Sequence, residues 1–397
     1  MPEGRLADTI SRADWFRRQD LKELAHVLGR DHIRWVGGAV RDTLLGLDVH
    51  DIDAATTRYP DSVIQLLGKA GIRTAPTGIA HGTITALLAD GPVEITTLRH
   101  DVSTDGRRAT IAFTSDWGED AARRDFTINA LSVTPETGEI FDYFDGLSDL
   151  EQRKVRFIGD ARQRIAEDHL RILRYFRFQA RFGAAPDHEA EQACAEMAPT
   201  LKGLSRERIA MEVLGILLLP DPAPTFYRMK ELGVLTVILP EVSANGLEAL
   251  ARLVSAECNA DIACNSIRRL AALLPPSPDV ARDIAARLRL SKVQRTRLIC
   301  DAERQPDDRK APRALAWKVG LDSAIDRILL QDGSVDELKD WDIPRFPLSG
   351  RDVLARGAHA GPDISRLLRE AEMQWVAEGF PDKKRAETLL DQLMWDD

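Results

Sequence analysis

The sequence predicts an α+β fold, with a mixed head of short strands and helices over residues 1–145 followed by helices only. Three observations carry this. β-Favouring runs bounded by glycine turns fall in the first 145 residues and almost vanish afterwards. From residue 146 onward apolar residues recur at helical spacing, punctuated by Pro220, Pro222, Pro224 and the Pro275-Pro276 pair. The chain has 397 residues, 44% hydrophobic and 29% charged, enough for two or three compact units with ordinary cores.

The elements follow in order. Apolar Ile10, Trp15, Leu21, Leu24, Ala25 and Leu28 share one helical face, predicting a lid or packing helix over 10–29. Ile33-Arg34-Trp35-Val36 reads as a strand, Gly37-Gly38 as a tight turn, and Ala39 to Gly46 as the start of a helix. His50 to Thr56 reads as a second strand, and 60–71 as a helix opened by Pro60 and Asp61 and stopped by Gly71. Strands over 82–89 and 93–98 meet at the Asp90-Gly91 turn signal. The polar, charged stretch 99–124 reads as a long mobile loop. Segments 127–134 and 140–144 form a hairpin, and 162–182, 206–218, 246–258, 279–288 and 381–395 carry helical spacing.

Charge and cysteine content narrow the function. With 54 Lys and Arg against 63 Asp and Glu, the net charge is −9, which on its face disfavours a polyanionic partner. The charge is uneven, however. Residues 151–181 hold nine basic and four acidic side chains, so a positive surface is expected there. Cys194, Cys258, Cys264 and Cys300 form no Cys-x-x-Cys pair or zinc-like spacing, which points to a reducing, cytoplasmic setting. The charged first 21 residues lack the apolar stretch of a signal peptide, and no aliphatic run approaches the ~18 residues of a membrane span.

The chemistry concentrates in a few motifs. Asp51 and Asp53 stand two apart on a predicted strand, so both carboxylates face one way and repel unless a cation lies between them. That pattern suits Mg²⁺ held by a few acidic ligands and substrate phosphates. Taken alone it also arises by chance in an acidic chain, as Asp340-Trp341-Asp342 illustrates. Just upstream, Gly37-Gly38 precedes a helix, a place where backbone N–H groups favour a phosphate, and Arg41 lies one turn in. A plain strand-to-helix turn is the ordinary alternative. Glu94, on a neighbouring predicted strand, is a candidate third carboxylate or else a solvent-facing charge. Arg123-Arg124-Asp125 with Asn129 offers two guanidinium groups and polar partners, or else a salt-bridged loop end. On a helix over 162–182, Arg171, Arg174 and Phe178 share a face with Glu167, and Asp168 lies one turn from Arg171. This is either a hydrogen-bonding edge or a solvated i,i+3 ion pair.

The ordered motifs resemble class II template-independent nucleotidyltransferases, the CCA-adding tRNA nucleotidyltransferases and bacterial poly(A) polymerases. Val36-Gly37-Gly38-Ala39-Val40-Arg41-Asp42-Thr43-Leu44-Leu45-Gly46 with Asp51-Ile52-Asp53-Ala54-Ala55-Thr56 is similar to the first family motif. The run 78–83 with the strand 93–99 follows, then Arg123-Arg124-Asp125-Phe126-Thr127-Ile128-Asn129-Ala130. Asp145-Gly146 with Asp149-Leu150 comes next, and then Glu167-Asp168-His169-Leu170-Arg171-Ile172-Leu173-Arg174-Tyr175-Phe176-Arg177-Phe178. A weaker likeness covers Pro347 to Val353 and Gly361 to Ile364.

The resemblance implies a polymerase-β-like nucleotidyltransferase head at 1–145, a helical neck for base recognition at 146–200, a helical body at 201–315 and a tRNA-binding tail at 316–397. It assigns the Mg²⁺ ions to Asp51 and Asp53, beside which Glu94 stays the candidate third catalytic carboxylate read from its strand position. It places Arg123, Arg124, Asp125 and Asn129 at the triphosphate and ribose, next to the phosphate cradle read from Gly37, Gly38 and Arg41, and Asp168 and Arg171 at the base edge. Arg174 and Arg177 would lie near the phosphates or support the pocket. The implied reaction joins CTP twice and ATP once to the 3′ end of tRNA, held by acceptor and elbow, with no DNA or membrane partner. The 99–120 segment is the candidate moving part that lets one pocket change nucleotides.

An A-adding enzyme and a poly(A) polymerase share such a head. Three features favour the CCA-adding pattern: the Gly78-Ile79-Ala80-His81-Gly82-Thr83 run, Ile52 rather than Phe between the aspartates, and an ending on Asp396-Asp397 without a basic extension. A non-catalytic RNA-binding protein on the same scaffold is the alternative from another class.

Overall fold

The computed structural model describes residues 3–105, 108–358 and 361–395, and no helix among them is long and apolar enough to cross a membrane. The chain folds as two compact units. One comprises residues 1–208 with 228–238, the other 209–227 with 239–397.

The first unit opens with α1 (Glu3–Arg12), α2 (Asp14–Arg17) and α3 (Gln19–Leu28). The expected single helix over 10–29 is therefore broken, because the backbone turns extended at Ala13 and Arg18 (ψ 137° and 131°). Its apolar face survives the breaks: Ile10, Trp15, Leu21, Leu24 and Leu28 are buried, and Trp15 Nε1 donates to Thr43 Oγ1 at 2.8 Å. Next come β1 (Ile33–Val36), α4 (Gly38–Leu44), β2 (Asp53–Thr56), α5 (Pro60–Lys69), β3 (Arg73–Gly78), β4 (Thr83–Leu88) and β5 (Gly91–Thr97). After β6 (Arg99–Asp105), β7 (Arg108–Phe113) and α6 (Trp117–Ala122), a short hairpin of β8 (Ser132–Val133) and β9 (Ile140–Phe141) completes the strands.

Seven strands form one sheet in the order β3-β4-β5-β2-β1-β8-β9, in which only the β2/β5 pair is parallel. The strand expected from His50 is shorter than predicted and starts at Asp53, so Asp51 stands just before it. β3 was not anticipated. Its sequence holds Pro76, tolerated because β3 is an edge strand, and its pairing shifts register between Ala75 and Gly78.

The stretch 99–124 is not a loop. β6 and β7 pair as a separate antiparallel ribbon, and α6 follows it. A two-stranded ribbon pairs the facing half of its backbone groups in its own ladder, which needs no apolar alternation to announce it. Gly106 and Arg107 of the expected loop, and the terminal Asp396-Asp397, lie outside the described residues.

Helices α7 (Gly146–Glu151), α8 (Ala161–Glu167), α9 (Arg171–Phe182) and α10 (His188–Met197) follow. The predicted helix 162–182 is thus two helices, interrupted where Asp168 turns extended (φ −149°, ψ 104°). Between sheet and helices Phe126, Phe157, Tyr175 and Phe178 interlock, with Phe126–Phe157 and Phe126–Phe178 centroids 4.9 and 5.2 Å apart.

The remaining helices are α11 (Arg206–Leu217), α12 (Ala223–Glu231), α13 (Val234–Ile238), α14 (Ala244–Asn259), α15 (Ser266–Leu273), α16 (Pro278–Arg287), α17 (Lys292–Ala302), α18 (Pro312–Val319), α19 (Leu321–Leu329), α20 (Gly350–Leu354), α21 (Pro362–Ala377) and α22 (Lys383–Trp395). In the second unit, buried Arg268 donates to Glu257 and Asp326, both at 2.6 Å, tying α15 to α14 and α19. Leu348, Val353, Leu367, Trp375, Leu389 and Leu390 form a separate apolar core among α20, α21 and α22.

Candidate active site

A cleft of about 650 Å³ in the first unit gathers thirteen of the fourteen residues singled out from sequence, all except Glu94. It begins at the turn between β1 and α4. Gly37 there adopts φ 69° and ψ −122°, a conformation for glycine, and a Cβ would stand 3.1 Å from Arg124 Nη1. The close turn therefore needs glycine for two reasons.

Asp53 opens β2, in register with Val36 of β1 on one side and Glu94 of the parallel β5 on the other. Glu94 and Asp53 are thus lateral neighbours on one sheet face, and Asp51 joins Asp53 along the cleft wall. Asp53 reaches solvent through the cleft, yet protein encloses much of it. Burial and then the Glu94 carboxylate push its pKa above the ordinary value, Arg124 opposes, and Asp51 adds to the push. Such clustered negative charge is what a divalent cation relieves, so the donor set fits Mg²⁺. Among the described residues no three His, Cys, Asp or Glu side chains close into a ligand cage of their own. Two carboxylates supply part of an octahedral shell and would leave positions for water and phosphate oxygens, as Mg²⁺ usually requires.

Opposite them, Asp125 is the hub of a buried network. Its Oδ2 accepts from Arg174 Nε at 2.7 Å and Nη2 at 2.6 Å, and its Oδ1 accepts from Asn129 Nδ2 at 2.9 Å and the Phe126 N–H at 2.8 Å. Burial works against its ionisation, but Arg174, Asn129 and Phe126 outweigh it and hold the carboxyl below its ordinary pKa. Asn129 Oδ1 in turn accepts from Arg41.

Arg41 differs from expectation. Rather than a free phosphate ligand, it is a buried guanidinium that donates from Nε to Asp42 Oδ1 at 2.7 Å and lies 4.3 Å over the Phe182 ring. Burial lowers its pKa and Asp42 opposes the shift. Asp42 also meets Arg181 Nη2 at 3.4 Å, so Arg181, Asp42, Arg41, Asn129, Asp125 and Arg174 form one chain of polar contacts.

α6 supplies a second anchor. Asp116 caps it, accepting from the Gly118 N–H at 2.7 Å. Asp120 then holds Arg123 Nε at 2.8 Å and Arg124 Nη2 at 3.6 Å. Arg124 is enclosed enough that burial lowers its pKa, with Asp120 opposing.

The break between α8 and α9 shapes the far end. Arg171 Nη1 donates to Glu167 Oε2 at 2.7 Å and to the Arg164 carbonyl at 2.9 Å, and Nη2 donates to the Arg123 carbonyl at 2.7 Å. Asp168 instead accepts from Arg208 Nη2 at 2.7 Å. No ion pair joins Asp168 to Arg171 among the described residues, so the i,i+3 salt bridge weighed from sequence does not form. Two guanidinium N–H groups of Arg171 carry no partner in this set of bonds, and each Asp168 oxygen keeps acceptor capacity. The result is a donor and an acceptor side by side in the cleft. Arg177 lines the same wall, 5.1 Å from the Phe178 ring centroid.

Sequence reasoning missed Asp42, Asp120, Arg181 and Arg208. Asp42 and Asp120 stand next to motif arginines and were findable as their counter-charges. Arg208 is forty residues from its partner, and only the fold brings it there. The expected positive surface over 151–181 is also corrected. At least seven of its nine cations are in ion pairs: Lys154 with Asp187, Arg156 with Asp149, Arg162 with Glu196, Arg164 and Arg171 with Glu167, Arg174 with Asp125, and Arg181 with Asp42. That segment builds the site more than it displays charge.

The chain is similar to known proteins in sequence and in fold. The family described as "Poly A polymerase head domain" matches residues 33–156, and that described as "Probable RNA and SrmB- binding site of polymerase A" matches residues 185–245. The Mus musculus protein "CCA tRNA nucleotidyltransferase 1, mitochondrial" is 38% identical over 387 residues, covering 92% of this chain and 88% of the relative. The CCA-adding enzyme of a Streptococcus pneumoniae strain is 45% identical over 188 residues, covering 47% of this chain and 46% of its own. The crystal structure of the Bacillus stearothermophilus CCA-adding enzyme in complex with CTP is similar with a TM-score of 0.75 at 26% identity, covering 95% of this chain and 98% of that one. With the head matched and a relative aligned across 92% of its length, the chain belongs to the CCA tRNA nucleotidyltransferase family.

Proposed function

We propose that the protein adds CMP, CMP and AMP, from CTP and ATP, to the 3′ end of tRNA and releases pyrophosphate. One observation carries the reading. A single cleft holds the carboxylate pair, with Glu94 beside it, and a donor and acceptor edge at Arg171 and Asp168 that needs no template strand. The names and bound nucleotides of the relatives support the substrates.

In this reading the primer's 3′ oxygen bonds to the α-phosphorus of the nucleotide, the bond from that phosphorus to the β-bridging oxygen breaks, and pyrophosphate leaves with its charge. Asp51 and Asp53 would hold Mg²⁺, with Glu94 reinforcing the negative site. When bound, the metal lowers the pKa of the attacking hydroxyl and neutralises the leaving group. Arg123 and Arg124 face the triphosphate, pre-set by Asp120. Asp125 and Asn129 orient the ribose side, with Arg41 locking Asn129 and Arg174 locking Asp125. Gly37 and Gly38 let the backbone approach the phosphates closely. Asp168 accepts from the base edge and Arg171 donates to it, while Arg177 supports that wall. The four cysteines are free thiols, in keeping with a reducing compartment, for which we propose the cytoplasm.

The test is incubation with tRNA ending before CCA, tRNA ending in CC, or an unstructured RNA, each with CTP or ATP alone. Addition of C to the first RNA supports the reading. Addition of A to the CC-ended tRNA only would assign an A-adding enzyme, long A tails on any RNA a polymerase, and no incorporation a binding protein.

A further inference from the structure

Arg123 and Arg124 take their places from α6, whose six residues are too few to hold a helix without outside contacts. Both of its ends are tied down. At the far end the Ala122 carbonyl accepts from Arg164 Nη1 at 2.9 Å, and the Arg123 carbonyl accepts from Arg171 Nη2 at 2.7 Å. At the near end Trp117 packs on Val36, Ala55 and Leu98, and the guanidinium carbon of Arg34 stands 4.2 Å from its ring centroid.

Arg34 lies on β1, where the register sets Val36 opposite Asp53 and Arg34 opposite Ala55. By alternation Arg34, Val36, Asp53 and Ala55 share one sheet face, the face of the carboxylates. Trp35 between them turns the other way and meets Trp15 edge-on at 6.5 Å. The Arg34 guanidinium is also 3.5 Å from the ring centroid of Phe141 on β9, and its Nη1 donates to the Tyr143 hydroxyl at 3.1 Å. It meets no carboxylate among the described residues. Two ring faces, whose negative quadrupole attracts a cation, stand where a counter-charge would. Neither Arg34 nor Trp117 lines the cleft, so an effect of Arg34 on a bound nucleotide must pass through α6.

We propose that Arg34 is a positioning residue for the triphosphate end of the nucleotide. Stacked between Trp117 and Phe141, it fixes the start of α6, and α6 carries that constraint through Asp120 to Arg123 and Arg124. The inference rests on the nucleotide-transfer reading above. Charge rather than bulk is required, because an uncharged side chain of similar length fills the gap between the rings but loses the attraction that holds them.

The test titrates CTP, and separately ATP, into the full-length protein by isothermal calorimetry. In parallel, KM and kcat are measured for CTP on tRNA lacking its CCA end and for ATP on tRNA ending in CC. Arg34→Met should weaken binding of both nucleotides about tenfold and raise both KM values alike. kcat and the KM for tRNA should stay within about twofold of wild type. Arg34→Lys, which keeps a cation between the rings, should hold affinity within about threefold. A purely structural arginine gives another pattern: less active protein, hence lower kcat and lower calorimetric stoichiometry, at unchanged nucleotide affinity. That pattern, wild-type affinity in Arg34→Met, or equal losses in Arg34→Met and Arg34→Lys overturns the proposal. Should Arg34→Met not fold, Arg34→Gln is read by the same criteria. Failure of both uncharged variants to fold would assign Arg34 to stability alone and overturn the proposal likewise. If the wild type extends no tRNA, the tRNA reading falls and the calorimetric comparison still decides Arg34; a wild type that binds neither nucleotide overturns both.

Discussion

Asp125→Ala tests the idea that the ribose side of the cleft is pre-built by one buried carboxylate. Asp125 is 7% exposed, and its removal takes a hydrogen-bond acceptor from three groups. The Phe126 N–H and the Asn129 amide, both buried, lose their acceptor, at about 1–3 kcal/mol for each group left unsatisfied. Arg174 loses its two bonds to Asp125, but its side chain is 30% exposed and water can replace them, so that share is discounted. The expected destabilisation is about 3–5 kcal/mol, in the range for breaking a buried pair.

Urea denaturation followed by far-UV circular dichroism and by tryptophan fluorescence reads the change. Two probes are needed because two compact units need not unfold together. pH adds a second check. The folded pKa of Asp125 is depressed, so its stabilisation is fully present above the unfolded value of about 3.8 and is lost as pH falls through the lower folded value. The gap between wild type and variant should therefore be wide at pH 7 and narrow towards pH 3. A midpoint that barely moves at pH 7, or a gap of equal size at both pH values, would refute the reasoning.

Three further predictions concern other links. Asp51→Ala should abolish incorporation of both CMP and AMP without lowering the thermal midpoint, and residual turnover near wild type would remove Asp51 from the metal site. Gly37→Ala should destabilise by about 1–2 kcal/mol because of its positive φ and the approach to Arg124, read as a lower urea midpoint. In the second unit, Asp301 is fully buried with neither carboxylate oxygen hydrogen-bonded, and burial, then Asp326, push its pKa well up. Its stabilising protonated form is fully populated below the unfolded value of about 3.8 and is lost as pH rises through the higher folded value, so Asp301→Asn should make stability fall less steeply as pH rises above 3.8; parallel pH profiles would contradict this.

Much of the site is readable from the chain because its residues are local. Gly37-Gly38, Asp51-x-Asp53, Arg123-Arg124-Asp125 and Glu167-Asp168 with Arg171 each sit on one turn or one strand end, where spacing sets which way side chains face. The β6/β7 ribbon escaped notice because a ladder of backbone hydrogen bonds leaves little mark on composition. β3 escaped because an edge strand accepts proline and polar residues.

The partners of each motif lie on the other side of that divide. Sequence by itself determined the α+β division, the carboxylate pair, and the family to which the motifs belong. Only the tertiary structure decided that Arg41 is locked inside by Asp42 and Asn129, that Asp168 answers to Arg208 rather than Arg171, and that the arginines of 151–181 are mostly neutralised. The physical reason is that charge and periodicity are properties of neighbours along the chain. Pairing, burial and the resulting pKa shifts depend on which groups the fold brings within a few ångströms, for Asp168 with Arg208 across forty residues and for Asp42 with Arg181 across 139.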